Sequence, residues 1–294
     1  MQIKINNLKH VFNKNSPWEF LALDGINLNI KDGEYIGVIG ATGSGKTTLI
    51  EHFNGLLRAT NGNIEWDFIK DNIQQKFIYG ETKSKFKIKD LRKKIGIVFQ
   101  FAEYQLFKNT IKEDIAFGPI AFGIPKDEAY KIARECLLEV GLSEEYLERS
   151  PFELSGGQKR RVAIAGILAM NPDFMVFDEP TAGLDPVGVK DILDILTNLH
   201  KSGKTIINVT HDLDHVLERA ERVIMLKKGK IVADNNAYDV LSDIHFLREN
   251  HLQPPQLLDF VLELREKGIN VPKVRNIEEL AYFLNNEVLA KEGK

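Results

Sequence analysis

The sequence predicts an α/β protein built on a mostly parallel sheet. Short, β-rich, almost wholly apolar runs recur along the chain, and helical patterns lie between them. A third observation is GATGSGKT, placed where one such run gives way to a helical pattern.

In chain order, Ile26, Leu28 and Ile30 alternate with Asn27, Asn29 and Lys31, the period of a half-buried strand. YIGVI (35–39), IGIVF (95–99), FMVFD (174–178) and TIINV (205–209) are nearly continuous in apolar character, which suits central strands covered on both faces. Residues 60–94 carry turn signals and strand-like runs. They read as a loop or peripheral β-hairpin and include the basic KSKFKIKDLRKK of 83–94. Residues 126–140 read as a helix ending before Gly141, with Cys136 as a small buried apolar residue. Residues 186–200 open with Pro186, set Ile192, Ile195, Leu196 and Leu199 on one face, and stop at Gly203. Beyond Pro254-Pro255, QLLDFVLELREKG and NIEELAYFLNN read as two further helices.

Composition narrows the function classes. The 294 residues carry 39 basic against 42 acidic side chains, net −3, which disfavours a dedicated nucleic-acid binder. One cysteine excludes an internal disulfide or a cluster of soft metal ligands. No run approaches the ~18 apolar residues of a membrane span, and MQIKINNLKHVFNK lacks the apolar core of a signal peptide. The expectation is a soluble, cytoplasmic chain.

GATGSGKT, Gly40 to Thr47, fits the phosphate-loop pattern at every fixed position, with a strand before it and a helix after it. Gly40, Gly43 and Gly45 let backbone N–H groups turn inward towards phosphate oxygens. Lys46 supplies a mobile charge for the terminal phosphates, and the Thr47 hydroxyl suits Mg²⁺. FMVFDEP ends a strand in Asp178, a metal-directing carboxylate, with Glu179 next to it as the group that polarises an attacking water. Gln100 and His211 also follow strand ends. In a parallel sheet those ends share one edge, so Lys46, Gln100, Asp178, Glu179 and His211 are expected in one crevice. LSGGQKRR (154–161) reads as a second anion-binding helix start, with Ser155 as N-cap and Gly156 and Gly157 leaving first-turn N–H groups open.

Taken in order, GATGSGKT, Gln100, LSGGQ, FMVFDEP, the AGLD of 182–185 and His211 resemble the nucleotide-binding subunits of ABC transporters over about residues 1–240. The resemblance implies a P-loop NTPase cassette over 1–244. Its parts are a RecA-like, mostly parallel core sheet, an antiparallel β subdomain and an α-helical subdomain at about 101–165. A C-terminal helical appendage at 245–294 would support dimerisation. It further implies two such subunits head to tail, sandwiching ATP and Mg²⁺. Gly40, Ala41, Thr42, Gly43, Ser44, Gly45, Lys46, Thr47 and Thr48 would then hold the phosphates, and Phe12 would stack on adenine. Thr47, Gln100 and Asp178 would serve the metal, Glu179 would be the general base, and His211 would contact the γ-phosphate. Ser155, Gly156, Gly157 and Gln158 would grip ATP across the interface, with Leu184 and Asp185 in the D-loop.

More narrowly, VFQFAEYQLF, IKEDIAFGPIAFG and the run from LSGGQKRR to DEPTAGLDP resemble the energy-coupling factor (ECF) transporter ATPases, nearest their second, A-prime subunit. That implies a homologous first ATPase as heterodimer partner, a transmembrane T subunit and a substrate-binding S subunit. Attachment would be peripheral, at the cytoplasmic face of the cell membrane, and the cargo a vitamin or transition-metal ion. Glu103, Tyr104 and Leu106 would form the docking segment. Ala102 stands where the family has proline, and 70–89 is longer than usual. The rivals are the ATPase of a different ABC transporter, or a soluble ATPase of DNA repair or translation. Between phosphate loop and signature there are no sustained heptads or cysteine pairs, as repair relatives would have, and translation relatives fuse two cassettes.

Overall fold

Alternating apolar and polar side chains build the first sheet, and continuous apolar runs build the parallel strands. The computed structural model describes residues 1–70, 73–78 and 88–289. The elements begin with β1 (Gln2–Phe12), β2 (Phe20–Ile30), β3 (Tyr35–Ile39), α1 (Lys46–Phe53), β4 (Asn61–Lys70), β5 (Ile73–Ile78), α2 (Ile88–Lys94) and β6 (Ile95–Val98). Then come α3 (Ile111–Ala121), α4 (Lys126–Glu139), α5 (Gly156–Leu168), β7 (Phe174–Asp178), α6 (Pro186–Lys201) and β8 (Thr205–Val209). The last are α7 (Leu213–Arg219), β9 (Arg222–Lys227), β10 (Lys230–Asn236), α8 (Ala237–Leu241), α9 (Ile244–Glu249), α10 (Gln256–Glu266) and α11 (Ile277–Phe283). They form two units, one of residues 1–34 and 47–209, the other of residues 35–46 and 210–294.

In the first unit an antiparallel sheet has the order β2-β1-β4-β5. Ile5 pairs with Leu28 on one side and Ile64 on the other, and all three are buried. The Trp66 indole N–H donates to the Phe53 carbonyl at 2.7 Å, tying this sheet to the helix that follows the phosphate loop. Parallel strands β6, β7 and β8 pair in register, Ile97 with Val176 and Val176 with Ile207, and every residue in them is buried. Helices α3, α4 and α5 pack on one another. In the second unit β3 pairs parallel with β9, and β9 antiparallel with β10. The C-terminal helices are tied to that unit: Gln256 and Leu257 backbone groups hydrogen-bond the Asp214 carboxylate, and Arg275 donates to the Ala220 carbonyl at 3.0 Å.

The four apolar runs and the two helices read at 126–140 and 186–200 fall where expected, and Cys136 is buried. Residues 60–94 bear out the hairpin and extend it. β4 and β5 pair antiparallel, and β4 also pairs with β1, which makes it an inner strand of a four-stranded sheet with β5 at the edge. Residues 88–94 are helical. Leu91 is the buried anchor of that turn, with Asp90 at its start and Arg92, Lys93 and Lys94 at its end, where their charges suit the helix dipole. Residues 83–87 of the basic run lie outside the described residues. Among the described residues no helix is long and apolar enough to cross a membrane.

Candidate nucleotide site

In the second unit β3 delivers the chain into the glycine loop. Gly40 has φ 144°, and a Cβ there would lie 2.3 Å from the Leu226 carbonyl oxygen, so both backbone and space demand glycine. Gly43 (φ 77°) and Gly45 (φ 103°) are also left-handed. The Gly229 N–H donates to the Ser44 carbonyl at 2.9 Å and holds the loop to the β9–β10 turn. The Lys46 ammonium donates to the Gly40 and Ala41 carbonyls, at 2.6 and 3.2 Å. Ser44 is buried, Thr48 half-buried, and Ala41 and Thr42 exposed. His211 is exposed just before α7, whose N-cap Asp212 accepts from the His215 N–H at 3.1 Å.

In the first unit the Thr47 hydroxyl donates to Asp178 Oδ2 at 3.0 Å. Asp178 is buried at the end of β7, and burial followed by the Asp178 charge raises the nearby Glu51 carboxyl above its ordinary range. Glu179 is half-buried, has φ 49° and donates its N–H to the Val209 carbonyl at 2.8 Å. Left-handed backbone is uncommon outside glycine and persists only where its surroundings hold it. Gln100 is exposed beyond β6. Leu184 is half-buried, and the Asp185 carboxylate caps α6 by accepting from the Gly188 N–H at 2.8 Å.

Ser155 caps α5 within a reciprocal capping box. Its hydroxyl accepts from the Gln158 N–H at 3.3 Å, while Gln158 Oε1 accepts from the Ser155 N–H at 3.0 Å. A Cβ on Gly156 would meet nothing within 4 Å, and one on Gly157 only Leu184 at 3.9 Å. Phe12 ends β1 opposite Phe20, half-buried, its ring edge-on to His10 with centroids 4.4 Å apart. Of the docking candidates, Tyr104 is 83% exposed, Leu106 is buried, and Glu103 pairs with the buried guanidinium of Arg160. Sequence reasoning passed over Arg160. Its signal was the adjacent pair Arg160-Arg161 in the first turns of the signature helix.

A family profile described as "ABC transporter" matches residues 23–182. The chain belongs to that family. It is 59% identical to the energy-coupling factor transporter ATP-binding protein EcfA2 of Mycoplasmopsis synoviae, over 100% of this chain and 98% of that relative. It is 48% identical to the protein of the same name in Clostridium perfringens, over 92% of each. Among solved structures it matches cbiO1 from Clostridium perfringens, part of the ABC transporter complex cbiONQ, with TM-score 0.70 and 36% identity over 88% of this chain and 98% of that one. It also matches the cassette MJ0796, solved as a dimer in a post-hydrolysis state with ADP and Pi, with TM-score 0.66 and 33% identity over 80% of this chain and 98% of that one. The fold is therefore that of an α/β ABC-type cassette, and its relatives include ECF transporter ATP-binding proteins.

Proposed function

We propose that this chain is the ATP-hydrolysing subunit of an energy-coupling factor importer. The observation that carries the reading is the contact of the Thr47 hydroxyl with the Asp178 carboxylate at 3.0 Å. The residue that closes the phosphate loop and the carboxylate that ends β7 form one patch of hard oxygen donors. Such a pair suits Mg²⁺, which keeps several waters and takes other ligands from phosphate. When bound, the ion neutralises charge on the phosphate oxygens.

The chain's own groups do the rest. The loop amides and the residues from Gly40 to Thr48 cradle the phosphates, Lys46 leaves its loop carbonyls for the terminal phosphates, and Phe12 stacks on adenine. Glu179 takes the proton of the attacking water, Gln100 joins Thr47 and Asp178 among the residues that would hold the metal, and His211 holds the γ-phosphate. Residues 155–158, with Leu184 and Asp185, contact the ATP held mainly by a homologous ATPase subunit, so a heterodimer encloses two nucleotides. The turn at 103–106 presents Tyr104 to a transmembrane T subunit, with Glu103 and Leu106 fixing its shape. An S subunit brings the vitamin or transition-metal ion, and the assembly sits at the cytoplasmic face of the membrane. In this reading 1–244 is the cassette and 245–294 the dimerisation appendage. Purification of the chain from native membranes tests it: a T-type membrane protein and a second cassette should accompany it, and DNA or ribosomes in their place would overturn it.

A further inference from the structure

Arg160 is 2% exposed, yet it carries a charge that no step described so far uses. A guanidinium does not shed its proton, so its burial must be compensated by paired charge and by hydrogen bonds to its fork of donors. Nε donates to Glu103 Oε2 at 3.0 Å and Nη2 donates to Glu103 Oε1 at 2.7 Å, a bidentate pair. Nη1 donates to two carbonyls, those of Pro180 at 2.9 Å and Ala182 at 2.8 Å.

These partners lie in two different segments. Glu103 belongs to the turn at 102–105, and residues 180–182 are the run directly after Glu179. Each segment is entered through a left-handed non-glycine residue, Phe101 at φ 56° and Glu179 at φ 49°. On the far side of Glu179, its own N–H is fixed to Val209. On the near side, the carbonyls that follow it are fixed by Arg160. The Phe101 ring lies 5.9 Å from the guanidinium carbon, and its edge lies 3.9 Å from where a Gly183 Cβ would be. One planar side chain thus spans the docking turn, the signature helix and the loop between Glu179 and Asp185. Lysine, a point charge without the planar fork, cannot make all four contacts at once.

We propose that Arg160 is a positioning residue for hydrolysis. It locks the turn that faces the membrane partner to the segment that carries Glu179, so that displacing one is felt by the other. The proposal rests on Glu179 as general base and on 103–106 as the docking segment. A purely structural arginine would change stability and the fraction of active protein, while a positioning arginine splits turnover from nucleotide affinity.

The test uses the assembled transporter purified from membranes, with ATP as the probe. It carries either Arg160→Lys or the double variant Arg160→Met/Glu103→Leu, which exchanges the ion pair for apolar groups. Thermal unfolding establishes that each variant is folded. Both folded variants should keep the KM for ATP within about twofold, while kcat falls about tenfold or more, as expected when a reacting group is displaced by a fraction of an ångström. A folded variant with wild-type kcat overturns the proposal. So does a fall in kcat that matches the loss of folded protein, or the failure of both variants to fold, since either would make Arg160 structural only. Absence of ATP hydrolysis in the wild-type complex would instead refute the parent reading.

Discussion

His52, on the helix that follows the phosphate loop, makes the stability of the first unit depend on pH. Its ring is wholly buried. Nδ1 donates to the Thr48 carbonyl at 2.7 Å, and the ring stands edge-on to His10 with centroids 4.8 Å apart. Burial pushes the imidazole down to about 4, with the backbone groups of Thr48 and Arg58 working against it and the neighbouring His10 working with it. The unfolded chain protonates near 6.5, so the folded state binds fewer protons between those two values. The stabilisation is full above about pH 6.5 and is lost as pH falls towards 4, about 3 kcal/mol in all and about 2 kcal/mol of it by pH 5. Urea unfolding at pH 7.5 and 5.0, read by Trp66 fluorescence in a Trp18→Phe background, measures it. Wild type should lose about 2 kcal/mol more than His52→Leu over that interval. Equal losses would refute the reasoning, because every other titrating group is shared by the pair.

Glu179→Gln should retain ATP binding while phosphate release falls by about 10²–10⁴-fold, the usual worth of a general base; an unchanged rate removes it from that role. Thr47→Val deprives Asp178 of a donor and the metal of a ligand, so the Mg²⁺ concentration for half-maximal ATPase should rise about tenfold, and an unmoved curve argues against Thr47 as ligand. Gly40→Ala sets a methyl group against the Leu226 carbonyl and should cost about 2–4 kcal/mol in denaturant unfolding. Burial holds the Cys136 thiol up at about 12, so iodoacetamide at pH 8 should label the native chain over about a hundredfold more slowly than the urea-unfolded chain.

The short motif runs were more legible than the architecture around them. The glycine loop lies between β3 and α1, Asp178 ends β7 and the signature opens α5, as residue type and spacing suggested. β1 was readable in the buried Ile3, Ile5 and Leu8, but Asn6, Asn7 and a register shift between Ile5 and Leu8 interrupt its alternation. The β9–β10 hairpin hid behind its lysines. Its turn sits on Lys228 (φ 48°) and Gly229 (φ 74°), a lysine where asparagine would have announced it. α2 shows no helical face beyond Leu91 and takes its place by packing against β6. The pairing of Glu103 could not be read from sequence. The resemblance placed it in the docking segment, and only the fold brings Arg160, 57 residues later, against it.

Gly40 and Gly156 are glycines for opposite reasons. At Gly40 the obstacle to a side chain is the protein's own backbone, so the fold itself polices the position. Around Gly156 the chain leaves open space, and the first turn of a helix would accept alanine without strain. Any obstacle to a side chain there comes from outside this chain, and in the function proposed above it is the nucleotide held by a partner subunit. In that reading a Gly156→Ala chain folds and competes for the same partners as the native one, and its defect surfaces only after assembly, as a poison rather than a loss.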